Sequence, residues 1–414
     1  MKHEINQFLA WVAWSVAALF VVYQICVQNA FGSVQHELGH DLQMSEAMLG
    51  IVSASFFITY ATMQFPAGIL IDRYGVGWLI PPATLLVGVG SLLLGFSESM
   101  GMTIVARLVM GLAGAFSFLG VAAVAHRRIS EKRLGIAIGL IDFAFGVGAI
   151  LGAAGIAWAL THFDWRTIFI ALAVLSIPIA IVNWFMLGRG GDVAPAGPGL
   201  IATFGSGIRA SVTKLAIWEV GIIYAAFIGV SFGIGGLWNI PLQNLFHRDE
   251  SQAQQLTTIM FISIAIMAPI WGLIADKTGR HITILFAGCL LVIYEVYRIV
   301  FISTPASIGM VQLDFVLLGI GISAGVLVFA VALKVSDKAH AGTAAGMVNG
   351  LGLLGSGLFQ LIPGVVQKDV EATGLSALQD GFLVYLVWPV VALLLIIHLA
   401  IQQRKADAKD NAES

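Results

Sequence analysis

An all-α membrane protein with twelve transmembrane helices in two pseudo-symmetric six-helix bundles is the architecture this sequence predicts. Three observations predict it. Of 414 residues, 58% are hydrophobic and only 11% are charged, with a mean hydropathy of +0.93. A soluble domain carries about 25% charge. Twelve apolar runs follow one another, and about 20 residues suffice for a helix to cross a bilayer. Finally, a charged, glycine-bounded stretch, Gly68-Ile-Leu-Ile-Asp72-Arg73-Tyr-Gly75, returns half a chain later as Gly272-Leu-Ile-Ala-Asp276-Lys277-Thr-Gly279-Arg280. Such a return indicates two copies of one structural unit.

The runs of the first half are Phe8–Phe31, Ala47–Phe65, Trp78–Phe96, Met102–Ala125, Leu134–Leu160 and Trp165–Leu187. Those of the second half are Leu215–Ile240, Leu256–Ala275, His281–Ile302, Ile308–Leu333, Ala341–Val366 and Leu383–Ile401. Helix is the reading for each, because a lone segment in lipid must satisfy its own backbone. The longest gap, Gly188 to Lys214, contains Pro195, Pro198 and several glycines. It divides the chain into an N-terminal half (1–187), a cytoplasmic linker (188–214) and a C-terminal half (215–414), with a short surface helix conceivable over Leu200–Val212. Glycines cluster in the fourth, fifth and eleventh runs. Small residues at such spacings let membrane helices approach closely, as packing or as seams that move.

Lysines and arginines set the orientation. With both termini in the cytoplasm, sixteen of the 21 face inward and three, Arg166, Arg248 and Lys368, face outward. The expected location is the cell's inner (plasma) membrane, and the chain is expected to be a monomer. A net charge of −2 gives no reason to expect a nucleic-acid partner. Cys26 and Cys289 both fall in apolar runs and read as small core residues. The first run is too long for a cleaved signal and lacks a cleavage site.

The paired stretch resembles the charged loop of the major facilitator superfamily, which joins helices 2 and 3 and again helices 8 and 9. Other stretches are similar to that family. They are Arg107-Leu-Val-Met-Gly111-Leu-Ala-Gly114 in the fourth run, the basic Arg127-Arg128 through Lys132-Arg133, and Trp165-Arg166 opening the sixth. Gly139, Gly148 and Gly152 partly resemble its antiporter signature. Ala153 stands where that signature has proline, and Ile156-Ala157 where it has glycines, which points away from antiport. The run from Arg107 to Val121 also resembles bacterial carriers of amino acids and other small metabolites. The resemblance implies a secondary transporter working by alternating access. It also implies gating roles for Gly68, Asp72, Arg73, Gly75, Asp276, Lys277 and Gly279. A carboxylate is stabilised at a helix N-terminus, so Asp72 is expected to reach the start of the eleventh run near His340–Thr343. A plain surface salt bridge is the competing reading.

Charges inside spanning helices are costly and point to function. Arg107 lies about 7 Å from the outer end of its run and Asp142 about 12 Å from the inner end of its own. In a core about 30 Å thick their depths differ by about 11 Å, which argues against a direct ion pair. Arg107 can bind an anionic substrate group or cap helix-end carbonyls. Asp142 can carry a proton or pair with the basic inner loops. Glu219, near the inner end of the seventh run, is the second candidate for proton coupling. Glu295 and Arg298 lie three apart on the ninth run and can share a face. Arg298 can also pair with Asp314, and the three read as structural charges. The expected substrate contacts are Tyr23, Gln24 and Gln28 on the first run and Tyr224, Trp238 and Asn239 on the seventh.

His36-Glu37-Leu38-Gly39-His40 fits the H-E-x-x-H zinc pattern. It lies in the outer connection between the first two runs, where Gly39 weakens a helix. A catalytic zinc needs three protein ligands, and no third is evident, so no metal is expected. A membrane zinc protease is the alternative of another class. Nothing resembles a phosphate-binding loop, and no cofactor is expected. The sequence therefore predicts a secondary transporter, not an enzyme, moving a small polar metabolite, an organic anion or amino acid. Its coupling ion would be H+, and a proton-driven exporter is the alternative.

Overall fold

The structure is a computed structural model that describes residues 7–188, 212–302, 307–335, 341–369 and 375–413. Within these stretches some side chains, those of Asp72, Asp142 and Asp276 among them, lie outside the described residues, as do His340 and nearly all of the linker and of the 200–212 segment. Among the described residues, twelve helices are long and apolar enough to cross a membrane. In the first half, α1 is Gln7–Asp41, α2 Glu46–Tyr74 and α3 Val76–Gly95. Helix α4 is Met100–Gly114, continued by Phe116–Arg128, and α5 is Glu131–Ile150, continued through a π-turn to Leu160. Helix α6 is Trp165–Leu187. In the second half, α7 is Leu215–Phe232 with a π-turn over Gly233–Leu237, α8 is Glu250–Thr278, and α9 is His281–Val296 with a π-turn over Tyr297–Phe301. Helix α10 is Ile308–Ser323, continued by Leu327–Val335, α11 is Ala341–Asp369 and α12 is Val384–Glu413.

Local chemistry sets several ends. Ser45, Ser99, Asp164 and Asp249 each accept a backbone N–H at the start of a helix, satisfying donors that a helix start leaves open. The charged repeat is helical for most of its length. Asp72 and Arg73 belong to the last turn of α2, and Asp276 and Lys277 to that of α8. The connection from α2 to α3 is the single residue Gly75, at φ 82. Gly279 closes α8 in the left-handed conformation at φ 68. L residues with a side chain rarely adopt either.

The first helix corrects an expectation. It does not end near Phe31 but runs to Asp41, so His36, Glu37 and His40 lie on a helix and not in a connection. A single Gly39 costs a helix only about 1 kcal/mol. It also lets the chain turn back tightly, since a Cβ there would lie 3.2 Å from a Leu49 methyl.

The two halves meet along α2 against α11, the most extensive contact between them, and along α5 against α8. At the end opposite the termini the seam is tight. A Cβ on Gly50 would stand 2.9 Å from the Gln360 carbonyl oxygen, and one on Gly364 2.9 Å from Ala47 Cα. Ser33 donates to Gln254 Oε1 at 3.2 Å, and His36 lies 3.5 Å from Glu250. Toward the termini the same helices show open glycine faces. Added Cβ atoms on Gly68, Gly272 and Gly346 meet no described atom within 4 Å. Among the described residues the halves are thus closely packed at the end opposite the termini, and these three glycines meet no neighbour toward the termini. Both cysteines are buried and free.

Candidate substrate site

A cavity of about 130 Å³ lies between the halves. Gln24 and Gln28 of α1, Tyr60 of α2, Ser117 and Phe118 of α4 and Phe145 of α5 line it from one side. Tyr224, Phe227, Ser231 and Phe232 of α7, Phe329 of α10 and Asn349 of α11 line it from the other. A second cavity of about 20 Å³ adjoins it on the sealed side. The two share Gln28 and Phe232 as walls. Asn29, Phe31, Ser53, Arg107 and Gln360 are among the other residues that line the smaller one.

Arg107 is the fixed point of this region. Gly111, one turn further along α4, has no Cβ, and one placed there would sit 2.2 Å from the Phe56 carbonyl oxygen. That absence lets α2 press against α4 and lays the Phe56 ring over the guanidinium. Phe31 of α1 covers it as well, and the ring centroids lie 4.5 Å (Phe31) and 4.6 Å (Phe56) from Cζ. Arg107 is 1% exposed, and its Nε and Nη1 have no hydrogen-bond partner. Cation–π contact stabilises a desolvated cation by about 2 kcal/mol. A guanidinium brings five donors, and two aromatic faces satisfy none of them.

Next to it, Gln24 Nε2 donates to Gln28 Oε1 at 3.0 Å, and Ser117 Oγ donates to Gln24 Oε1 at 3.0 Å. Gln28 Nε2 is buried without a partner. Gln360 ties three helices together. It accepts from Ser53, donates to the Phe232 carbonyl at 3.3 Å, and its own carbonyl accepts from Trp238 Nε1 at 3.0 Å.

Of the residues expected to contact substrate, Gln24, Gln28, Tyr224 and Arg107 line one cavity or the other. The other three are engaged in helix packing. Tyr23 donates to the Leu172 carbonyl of α6 at 3.0 Å. Trp238 is fully buried on Gln360. Asn239 donates to the Ala253 carbonyl and Thr257 Oγ1 of α8, both at 2.7 Å. Asp142 lies in α5 one turn before Phe145. Glu219 pairs with His398 of α12 at 2.8 Å. Arg298 forks onto Asp314, at 3.2 Å from Nε and 3.1 Å from Nη2. Glu295, fully buried, has no partner on either oxygen. Arg298 gives its fork to Asp314, the pairing the sequence allowed, and a π-turn starts at Tyr297 between it and Glu295. A wider turn breaks the three-residue register.

Among the described residues no group of three His, Cys, Asp or Glu can hold a metal ion. Sequence reasoning missed Ser53, Tyr60, Ser117, Asn349 and Gln360. A polar residue in the apolar runs of α2, α4 or α11 was the available signal.

Two helical halves around a central cavity, sealed at one end, define a multi-pass membrane transporter. The chain belongs to the Major Facilitator Superfamily, whose family model matches residues 5–360. That family is one of transporters, not enzymes. The chain is 26% identical over 375 residues, 87% of its length and 89% of the other's, to a Staphylococcus epidermidis protein described as "Probable nitrate transporter NarT". It is 24% identical to the "Uncharacterized transporter YybO" of Bacillus subtilis, over 42% of this chain and only 40% of that one. Among solved structures it is similar to the nucleoside transporter NupG, with a TM-score of 0.75 at 14% identity, covering 93% of this chain and 99% of the other.

Proposed function

We propose that the chain is a proton-coupled secondary transporter of a small organic anion, working by alternating access in the inner (plasma) membrane with both termini cytoplasmic. One observation carries the reading. A fully buried arginine with unpartnered donors stands beside the cavity between the halves. An uncompensated buried charge costs several kcal/mol, and an arriving anion offsets that cost at the site where substrate must bind. Charged groups inside spanning segments are functional by default.

Asp142 is the proposed proton carrier. Its support is its position in α5 one turn from the cavity wall. Glu219 is the second candidate, and its bond to His398 makes it the weaker one. Asp72 and Asp276, at the ends of α2 and α8, are proposed to hold the halves together at the terminal end in the opposite access state. The open faces of Gly68 and Gly272 near them support a closure there. The transporter is proposed to act as a monomer. The test is uptake into proteoliposomes of purified protein under an inward proton gradient. Anion accumulation that collapses with a protonophore supports the reading, and accumulation of neutral or cationic solutes alone overturns it.

A further inference from the structure

We propose that the cargo is a monoanion with a compact apolar body, of the size of one aromatic ring, and not a dicarboxylate or a bare inorganic anion. This rests on the anion-carrier reading above and goes further, to the charge and shape of the anion.

The charge follows from the lining. Among the described residues Arg107 is the one side chain in either cavity wall that carries a charge at neutral pH. One cation balances one carboxylate. A second carboxylate on the same molecule would enter the larger cavity, where it would meet only aromatic rings, aliphatic side chains, hydroxyls and amides. Burying a charge there without a partner is strongly unfavourable.

The pose follows from the rings. Phe31 and Phe56 cover the guanidinium, so a ligand reaches it at the edge. A carboxylate is planar and meets a guanidinium edge through two parallel hydrogen bonds. Gln28 is the polar residue that both cavities share, and its Nε2 is unpartnered. The headgroup therefore lies between Arg107 and Gln28, and the rest of the molecule extends past Gln28 and Phe232 into the larger cavity.

The body follows from that cavity. Its volume is about 130 Å³, and an apolar cavity of about 150 Å³ takes up benzene. Phe118, Phe145, Phe227, Phe232 and Phe329 contribute to its wall, and rings pack against one another edge-to-face or offset. Nitrate would satisfy the arginine and leave this space unused.

Binding to purified protein in detergent tests the inference, with sodium benzoate, sodium nitrate and disodium tartrate titrated at neutral pH. Benzoate is expected to bind at least tenfold more tightly than nitrate or tartrate. Arg107→Gln and Gln28→Leu should each weaken benzoate at least tenfold. Gln28→Leu carries the test if the arginine variant elutes aggregated on gel filtration. Phe145→Ala should weaken benzoate and leave nitrate unchanged. Tartrate or nitrate binding as tightly as benzoate, with Gln28→Leu abolishing it, overturns this inference and leaves the anion carrier standing. Failure of all three anions to bind overturns both.

Discussion

His398 Nδ1 lies 2.8 Å from Glu219 Oε1, joining α12 to α7 within the second half. Glu219 is 6% exposed, so the histidine supplies a partner that water cannot. The His398 side chain is itself 45% exposed, but its removal leaves the buried Glu219 carboxyl without that partner, at about 1–3 kcal/mol. His398→Ala should therefore lower the unfolding temperature in detergent clearly. Glu219→Gln keeps a hydrogen-bonding group and should lower it less. Equal stability of wild type and His398→Ala would show the pair to be incidental.

The glycines of α2 and α11 divide by their surroundings. Gly50 and Gly364 are pressed against backbone across the seam, whereas a Cβ on Gly68 or Gly346 would meet no described atom within 4 Å. Overpacking costs about 1–3 kcal/mol. In the conformation described, that cost falls on the first pair alone. Gly364→Val should open the sealed end, read as faster labelling of a cysteine placed at Ala47. Gly68→Val should leave folding and binding as they are and slow transport, because that face is needed only when the terminal end closes. Unchanged transport in Gly68→Val would exclude a closure at that glycine.

His36 and His40 lie one turn apart on α1, and His36 approaches Glu250 of the other half at 3.5 Å with its side chain 63% exposed. Exposed ion pairs stabilise by about 0–1 kcal/mol. His36→Ala with His40→Ala should leave transport nearly intact. Stoichiometric zinc in the wild type, lost together with an activity in the double variant, would reverse this reading of the motif.

Asp72 lies in the last turn of α2, and its counterpart Asp276 in that of α8. The recurrence of charge at both helix ends motivates a role in one access state. Asp72→Asn should cut proteoliposome transport strongly while changing detergent-phase affinity little. Wild-type turnover in this variant is the result that removes the gating role.

Twelve helices were legible because each apolar run is long and its ends are punctuated by glycine, serine or charge. The extension of α1 to Asp41 was not, since Gln35, His36, Glu37 and His40 carry no hydropathy signal for a helix. The π-turns at Leu151, Gly233 and Tyr297 were hidden because periodicity assumes a constant 3.6 residues per turn. Arg107 and the two glutamines of α1 stood out as polar groups in apolar runs. Their partners did not, because Phe31, Phe56 and Gln360 come to them from three different helices.

Arg107 and Asp142 carry the last prediction, because their chemistries fail differently. An arginine keeps its proton at any accessible pH, and an aspartate exchanges one. Arg107→Lys retains the charge but loses the planar fork. An ammonium between Phe31 and Phe56 cannot offer a carboxylate two parallel bonds. The loss of one charged hydrogen bond should weaken anion binding by about 1.5–3 kcal/mol, roughly tenfold to a hundredfold or more at 1.36 kcal/mol per decade. Asp142→Asn keeps size and polarity and removes the exchangeable proton. It should spare equilibrium binding and abolish the pH dependence of uptake, so that anion equilibrates but no longer accumulates. Both variants need equilibrium titration in detergent and flux measured across a range of external pH. Normal anion affinity in Arg107→Lys would make the cation structural. Continued accumulation under a proton gradient in Asp142→Asn would move the proton to another group, and Glu219→Gln would then be the variant to measure next.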